Sequence, residues 1–256
     1  MNTIIIKLGG SIITAKRSRK PRIERAVVAA IAQDIAAFRS KNPDVRIVLL
    51  HGAGSFGHPL AHRYGLVRGR PTPTRMIGAA QTIASMRTFG NMLSEIMWKE
   101  KLPVVPLQTS AMVPIGRGDA MIERLLQVNA IPMLNGDVVL RNGMTDIMSA
   151  DEQVIALVNT LKPSKIAFLT DVDGVYRRFP PTGGERPMKK ISRSDVRVLL
   201  LGMKRTLTST DVTGGMQGKL TALLGLRNVR VIMCNGKRPH ALLRVLGGLT
   251  GTLVQL

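Results

Sequence analysis

The sequence predicts an α/β protein, a three-layer αβα sandwich with a mostly parallel central sheet covered by helices on both faces. Three observations predict it. Short β-branched and aliphatic runs alternate with stretches of helical period along the whole 256-residue chain. The runs are apolar enough to be strands buried on both faces. Glycine-rich turns follow several of these runs, and open α/β sheets bind ligands outside the carboxyl ends of their strands.

Thr3 to Leu8 reads as a buried strand, broken by Gly9-Gly10-Ser11. Ile23 to Phe38 places Val27, Val28, Ile31, Ile35 and Phe38 on one helical face. Val45 to Leu50 is a second buried strand. It leads into His51-Gly52-Ala53-Gly54-Ser55-Phe56-Gly57-His58-Pro59, read as a loop whose backbone can approach a ligand closely. Thr74 to Glu100 has helical character, with Gly78 and Gly90 as points where it could break. Val104 to Leu107 is a strand, Ala120 to Val128 a helix, and Ile131 to Leu134 a strand followed by Asn135-Gly136-Asp137.

Val138-Val139-Leu140 and Met144 to Met148 flank Arg141-Asn142-Gly143, a hairpin signal. Ala150 to Leu161 is helical, and Lys165 to Leu169 is a strand ending in Thr170-Asp171-Val172-Asp173-Gly174. Residues 177–190, rich in Pro, Gly and basic residues, read as a mobile surface excursion, and Val196 to Leu201 as a short apolar segment. Asp211 to Met216 leads into a helix from about Gln217 to Leu226; Val229 to Cys234 and Thr252 to Leu256 are strands. No interdomain linker stands out, so one domain over 1–256 is expected.

The lone Cys234 lies in an apolar run, which excludes an intrachain disulfide framework and points to a buried structural thiol. The apolar start is too short for a signal peptide, and no run reaches the ~18 residues of a membrane span, so a cytoplasmic protein without a membrane partner is expected. The net charge of +21 invites a nucleic-acid reading. The basic residues are dispersed over 16–25, 63–75, 177–205 and 227–244, and aromatic content is only 3%, which leaves few stacking platforms. A basic surface around an anionic-ligand site is favoured over a nucleic-acid module.

Within this frame several residues carry chemistry. Backbone N–H groups in the 51–59 loop suit a phosphate, with His58 either a structural histidine or a donor beside that anion. Lys7, near the end of a buried strand, either reaches a bound polyphosphate while the Gly9-Gly10-Ser11 turn holds its oxygens, or snorkels from an edge. The GxxxxGK[ST] pattern of a Walker loop is absent. Lys16 reads by itself as part of a solvated basic loop. Asp151 either complements a helix dipole behind the cap Ser149 or orients lysines. Asp171 and Asp173 read as a turn by spacing alone. Gly214-Gly215 opens a helix from which Lys219 projects, a second anion-binding candidate. His58 and His62 lack the further ligands that a zinc site needs.

Taken in order, these motifs resemble the amino acid kinase superfamily and, within it, the isopentenyl phosphate kinases. The matching pieces are Lys7 to Ser11 with Ile13-Thr14 and Lys16, His51 to Pro59, Gly136-Asp137-Val138, Ser149 to Glu152, Thr170 to Tyr176, Asp211 to Lys219, and Gly251-Thr252. The resemblance implies the amino acid kinase fold and transfer of the γ-phosphate of ATP to isopentenyl phosphate in isoprenoid biosynthesis. It implies ATP phosphates on Lys7 and Lys219, a transferring group stabilised by Lys16, and lysines oriented by Asp151. Gly9, Gly10, Ser11, Gly54, Thr170, Asp171, Asp173, Gly214 and Gly215 would complete the ATP site. His58 would hold the substrate phosphate, with the N–H groups of Ala53 and Gly54 and the Gly136-Asp137 turn.

The acceptor side would come first in the chain and the nucleotide side from about residue 165. Mg2+ would be held mainly by ATP rather than by a protein cage, and the family suggests a homodimer. Met76, Ile77, Ile83 and Met86 could line a pocket for the apolar tail, although core is the favoured role for any one of them. The loop often reads Gly-Gly-Gly-Ser in this family; Ala53 replaces one glycine here and must keep φ negative. Fosfomycin kinase, which shares the loop type, is the alternative, followed by a basic nucleic-acid-binding protein on a kinase fold.

Overall fold

The computed structural model describes residues 2–15, 20–112, 118–182, 184–203, 215–248 and 250–256. Its strands are β1 (Asn2–Leu8), β2 (Val45–His51), β3 (Val104–Leu107), β4 (Ile131–Asn135), β5 (Asp137–Arg141), β6 (Met144–Met148), β7 (Lys165–Thr170), β8 (Lys190–Ser192), β9 (Arg230–Asn235) and β10 (Thr252–Gln255). Among the described residues, one eight-stranded sheet runs β3-β4-β2-β1-β7-β9-β10-β8, and β5-β6 form a separate hairpin. The sheet is parallel from β3 to β9. Only β10, with β8 beside it, runs the other way.

The helices are α1 (Gly10–Ile13), α2 (Arg25–Lys41), α3 (Gly54–Arg63), α4 (Pro73–Lys99), α5 (Thr109–Met112), α6 (Gly118–Gln127), α7 (Ala150–Leu161), α8 (Arg193–Met203), α9 (Gly215–Leu223) and α10 (Ala241–Leu246). They cover both faces because β1 is apolar on both. Ile4, Ile6 and Leu8 point into a core shared with α2, α4 and α10, whereas Ile5 joins the core under α7, α8 and α9. The chain leaves β1 toward α2 on one face and enters β7 from α7 on the other. The topological switch point therefore lies between β1 and β7, and a ligand crevice is expected at their carboxyl ends.

The structure changes the sequence reading in several places. His51 to Pro59 is only half a loop, because α3 begins at Gly54. Glycine and proline read locally as breakers, yet both sit comfortably in the first turns of a helix packed on α4. Conversely, α4 runs unbroken through Gly78 and Gly90. These two glycines admit close neighbours: a Cβ on Gly78 would collide with the Tyr64 ring, and one on Gly90 would lie 3.6 Å from His51 Nε2. The 196–201 segment belongs to the longer α8, and α10 and the edge strand β8 carry too little periodicity to be read from sequence. The hairpin turn is as expected, with Asn142 and Gly143 both at positive φ.

Candidate active site

Glycines end four of the parallel strands in the same way. Gly9 donates to Leu169 O, Gly52 to Leu8 O, Gly136 to His51 O and Gly236 to Thr170 O, each at 2.9–3.1 Å. Each extends its ladder by one bond and then lets the chain peel away. The loops after β1 and β2 consequently meet backbone to backbone. A Cβ on Gly10 would lie 2.5 Å from Gly54 N, and Gly54, at φ +50°, has Thr14 where its own Cβ would stand. Ser55 N–H donates to Thr14 Oγ1 at 3.0 Å and ties the two loops together. The N–H groups of Gly10, Ser11, Ala53 and Gly54 donate to no described residue. Two helix starts thus present their open donors in one place, which suits phosphate. Ala53 keeps φ at −71°, as its side chain requires.

Lys7 lies on the opposite face of β1 from Ile6 and Leu8 and is 3% exposed. Its Nζ is 2.7 Å from Asp151 Oδ1, and Lys219 Nζ is 3.0 Å from Asp151 Oδ2. Asp151 is placed by the start of α7, where Ser149 caps the helix by accepting the Glu152 N–H at 3.1 Å. Cap and lysine-orienting carboxylate are therefore one arrangement rather than alternatives. Burial lowers the Lys7 ammonium to about 8, partly opposed by Asp151 and reinforced by Lys219. Burial alone would raise Asp151, but the two ammonium groups outweigh it and hold the carboxyl at about 2. The cluster is a carboxylate between two cations at the switch point, and it carries net positive charge.

His58 lies one turn into α3, half-buried and i+4 from Gly54. Helical side chains lean toward the N-terminus, so it stands above the glycine turn. His62 is exposed. Among the described residues, no group of three or more His, Cys, Asp or Glu side chains could hold a metal ion.

Other expected contacts have local duties. Thr170 Oγ1 lies 3.0 Å from Val172 O and 3.1 Å from Cys234 O, bracing the turn after β7. Asp173 accepts from both Arg238 Nε (3.1 Å) and Nη2 (3.0 Å) and from Asn235 Nδ2 (2.9 Å). The Arg238 hydrogen bonds hold its carboxyl below the usual range. Asp137 is buried, which raises its carboxyl, and accepts from the Gln108 amide and the Ser110 and Val138 N–H groups. The Gly136 N–H is taken by His51 O, so this turn is a support beside the phosphate loops. Gly215 begins α9 at φ +45°. Lys16, Gly214 and the Asp211 to Thr213 part of its motif lie outside the described residues.

Sequence reasoning missed Arg238 and Gln108, whereas His51 keeps the structural role that falls to a histidine with no neighbouring constellation in the sequence. His51 is buried edge-on to Phe89 at a 4.9 Å centroid distance, and burial lowers its ring to about 4. The neutral ring packs under α4, and the backbone carbonyl of His51 accepts the Gly136 N–H. Cys234 is buried, and burial pushes its thiol up to about 12, so it is inert. Of the proposed tail residues, Ile83 is half-buried and packs on the small cluster of Ala61, Leu66, Ala79 and Val138, which Tyr64 and Ile147 also flank, whereas Met86 is 1% exposed and packs in the core with Phe56 and Phe89. Met76 and Ile77 are exposed.

Fold and site together define a phosphate-handling α/β enzyme, and the comparisons name its kind. The model of the amino acid kinase family matches residues 2–231. The isopentenyl phosphate kinase of Methanothermobacter thermautotrophicus is 33% identical over 96% of this chain and 95% of its own. That of Methanocaldococcus jannaschii is 30% identical over 97% and 96%. A crystal structure of an isopentenyl phosphate kinase superposes with a TM-score of 0.80 at 28% identity, covering 98% of this chain and all of the other. The chain belongs to the amino acid kinase family and, within it, groups with the isopentenyl phosphate kinases.

Proposed function

We propose that the chain transfers the γ-phosphate of ATP directly to isopentenyl phosphate, giving isopentenyl diphosphate and ADP. The observation that carries this reading is the Lys7–Asp151–Lys219 cluster beside the two interlocked glycine loops. A phosphate oxygen of the acceptor attacks the γ-phosphorus, and the bond to the bridging oxygen of ADP breaks. The acceptor is already an anion, so no strong general base is required. What the reaction requires is positive charge between two phosphates that repel each other, together with fixed geometry.

In this reading Lys7 and Lys219 hold ATP phosphates, and Asp151 fixes where their ammonium groups stand. The N–H groups of Gly10 and Ser11 serve the donor, and those of Ala53 and Gly54, with His58, hold the acceptor phosphate. Lys16 has the transferring group as its target. The acceptor side comprises the chain up to about residue 165 and the nucleotide side the remainder. Both Asp151 oxygens are engaged by lysines, which leaves Mg2+ to ATP oxygens and water. The prenyl tail lies between α3, α4 and the β5-β6 hairpin, over Tyr64, Ile83 and Ile147. Arg75 steadies that wall by reaching Thr145 Oγ1 at 3.0 Å and Val67 O at 2.8 Å.

Among the described residues no helix is long and apolar enough to cross a membrane, and a cytoplasmic place fits the substrates. A homodimer is part of the same reading, with exposed Trp98 and Val128 near the β3-β4 edge as apolar contacts. The relatives reported above favour isopentenyl phosphate over the fosfomycin alternative. An assay coupled to ADP release, run with isopentenyl phosphate, dimethylallyl phosphate and fosfomycin side by side, tests the assignment. ADP release with isopentenyl phosphate is expected. Release with fosfomycin alone would overturn it.

A further inference from the structure

The catalytic cluster uses few of the chain's cations, and a separate group of them lines a second concavity. A cavity of about 950 Å³ lies along β9 and β10, rimmed by Lys165, Arg186, Lys189, Arg230, Arg238 and Arg244 against the single acid Asp173. Arg238 is committed to Asp173, and Lys165 Nζ donates to Leu246 O at 2.6 Å. Arg186, Lys189, Arg230 and Arg244 form no ion pair with any described residue. The floor is the sheet surface itself, at Ile232 and Leu253.

The face of the sheet separates most of this trench from the Lys7 cluster, and only its Asp173 end reaches the carboxyl edge of the strands. Ile232 belongs to the core beneath α2, α4 and α10, whereas Lys7 shares its face of β1 with Ile5, on the α7 and α9 side. The sheet therefore stands between the two sites. Lys165 and Arg230 are also direct cross-strand partners in the β7-β9 ladder. Like charges placed opposite each other destabilise a sheet unless an anion lies between them. Lys165 is accordingly held below its usual range by burial and then by Arg230.

We infer that the trench along β9 and β10 is a binding site for an elongated anion carrying two or more phosphate groups. Unpaired arginines grip phosphate oxygens in pairs, and lysine adds charge. From Arg230 to Asn235 the trench extends about 17 Å at the rise of a strand, long enough for several linked phosphates. No aromatic side chain lines it, so it offers a single-stranded nucleic acid no surface for base stacking. The phosphates can come from a linear polyphosphate or from a diphosphate on an apolar tail lying over Ile232 and Leu253.

The test is titration calorimetry with sodium tripolyphosphate and, separately, geranyl diphosphate, with the catalytic site saturated by a non-hydrolysable ATP analogue. Binding to the wild-type chain is expected, weakening as salt is added. Arg230→Gln with Arg244→Gln should reduce affinity about tenfold or more, since each removes charge-assisted hydrogen bonds. The Arg230→Lys with Arg244→Lys pair should retain part of it, and kinase turnover should be unchanged in both. Tighter binding of tripolyphosphate identifies the linear source, and tighter binding of geranyl diphosphate the tailed one. Equal affinity in the wild type and the glutamine pair, or no binding beyond the catalytic site, would overturn the inference. So would capture of a single-stranded oligonucleotide that tripolyphosphate does not displace.

Discussion

Lys7 Nζ stands 2.7 Å from Asp151 Oδ1, joining the central strand of the sheet to the first turn of a helix far along the chain. Each charge would be costly to bury alone. Together, with Lys219 on the other oxygen, they remain charged beside the phosphate loops. Asp151→Asn should break this balance. The uncompensated lysines should cost about 3–5 kcal/mol of stability, read from urea unfolding, and kcat/KM for ATP should fall by about a hundredfold or more. Pairing Lys7→Met with Asp151→Leu should restore most of the stability and none of the activity. An active double variant would remove both groups from the chemistry.

The alkaline limb of the pH profile follows from Lys7. Burial lowers its ammonium to about 8, and only the charged form attracts phosphate. kcat/KM for ATP, which reports the free enzyme, should decline as pH rises through about 8. The limb in kcat should lie higher, because bound phosphates restore the charge. On the acid side, the Asp151 carboxyl falls from 3.8 when unfolded to about 2 when folded. It therefore adds stability above about pH 4 that is lost as pH drops through 2. A flat profile between pH 7 and 10 would contradict this role for Lys7.

The interlocked loops should tolerate no side chain. Gly10→Ala places a methyl group against the Gly54 backbone, which cannot turn aside as a side chain can. Turnover should fall by about two orders of magnitude through displaced donors, with the circular dichroism spectrum retained. Gly143→Ala is the control. Its Cβ meets open space at φ +71°, so only about 1 kcal/mol of stability should be lost, with activity intact.

His58→Ala should lower turnover severely, by about a hundredfold or more if the imidazole clamps the acceptor phosphate. The KM for isopentenyl phosphate should rise while that for ATP changes little. An equal rise in both would place His58 outside the acceptor half.

The tail pocket separates two residues that the sequence had grouped. Ile83→Ala should admit longer prenyl phosphates, because Ile83 is only half-buried on the Ala61–Val138 cluster that Tyr64 and Ile147 also flank. Met86→Ala should instead cost about 2–5 kcal/mol of stability, as a fully buried side chain in the Phe56–Phe89 core. The measurement is turnover across a series of chain lengths beside a thermal melt. An unchanged profile for Ile83→Ala would move the pocket elsewhere.

Several strand ends were legible in the sequence because an apolar run is followed within two residues by glycine. Gly9, Gly52 and Gly136 do sit on one edge of the sheet and close their ladders there, and Gly236, which the sequence reading did not single out, joins them. The extent of α3 was not legible, since its opening Gly54 and internal Pro59 favour a loop by local rules and tertiary packing overrides them. The antiparallel course of β10 was hidden too, because a strand's direction is fixed by its neighbours. The partners of Asp173 and Asp137 were equally hidden. Arg238 and Gln108 are distant in sequence, and no local pattern pairs them. The same holds for the basic trench, where Arg186 and Lys189 from one charge run and Arg230, Arg238 and Arg244 from another meet Lys165 only in the fold.

The central claim is direct transfer between two phosphates, and phosphorus NMR of a mixture of ATP, magnesium and isopentenyl phosphate with the enzyme tests it most plainly. Coupled diphosphate resonances of isopentenyl diphosphate should grow at the rate at which ADP appears, one for one. ADP growing with inorganic phosphate while isopentenyl phosphate stays unchanged would contradict it.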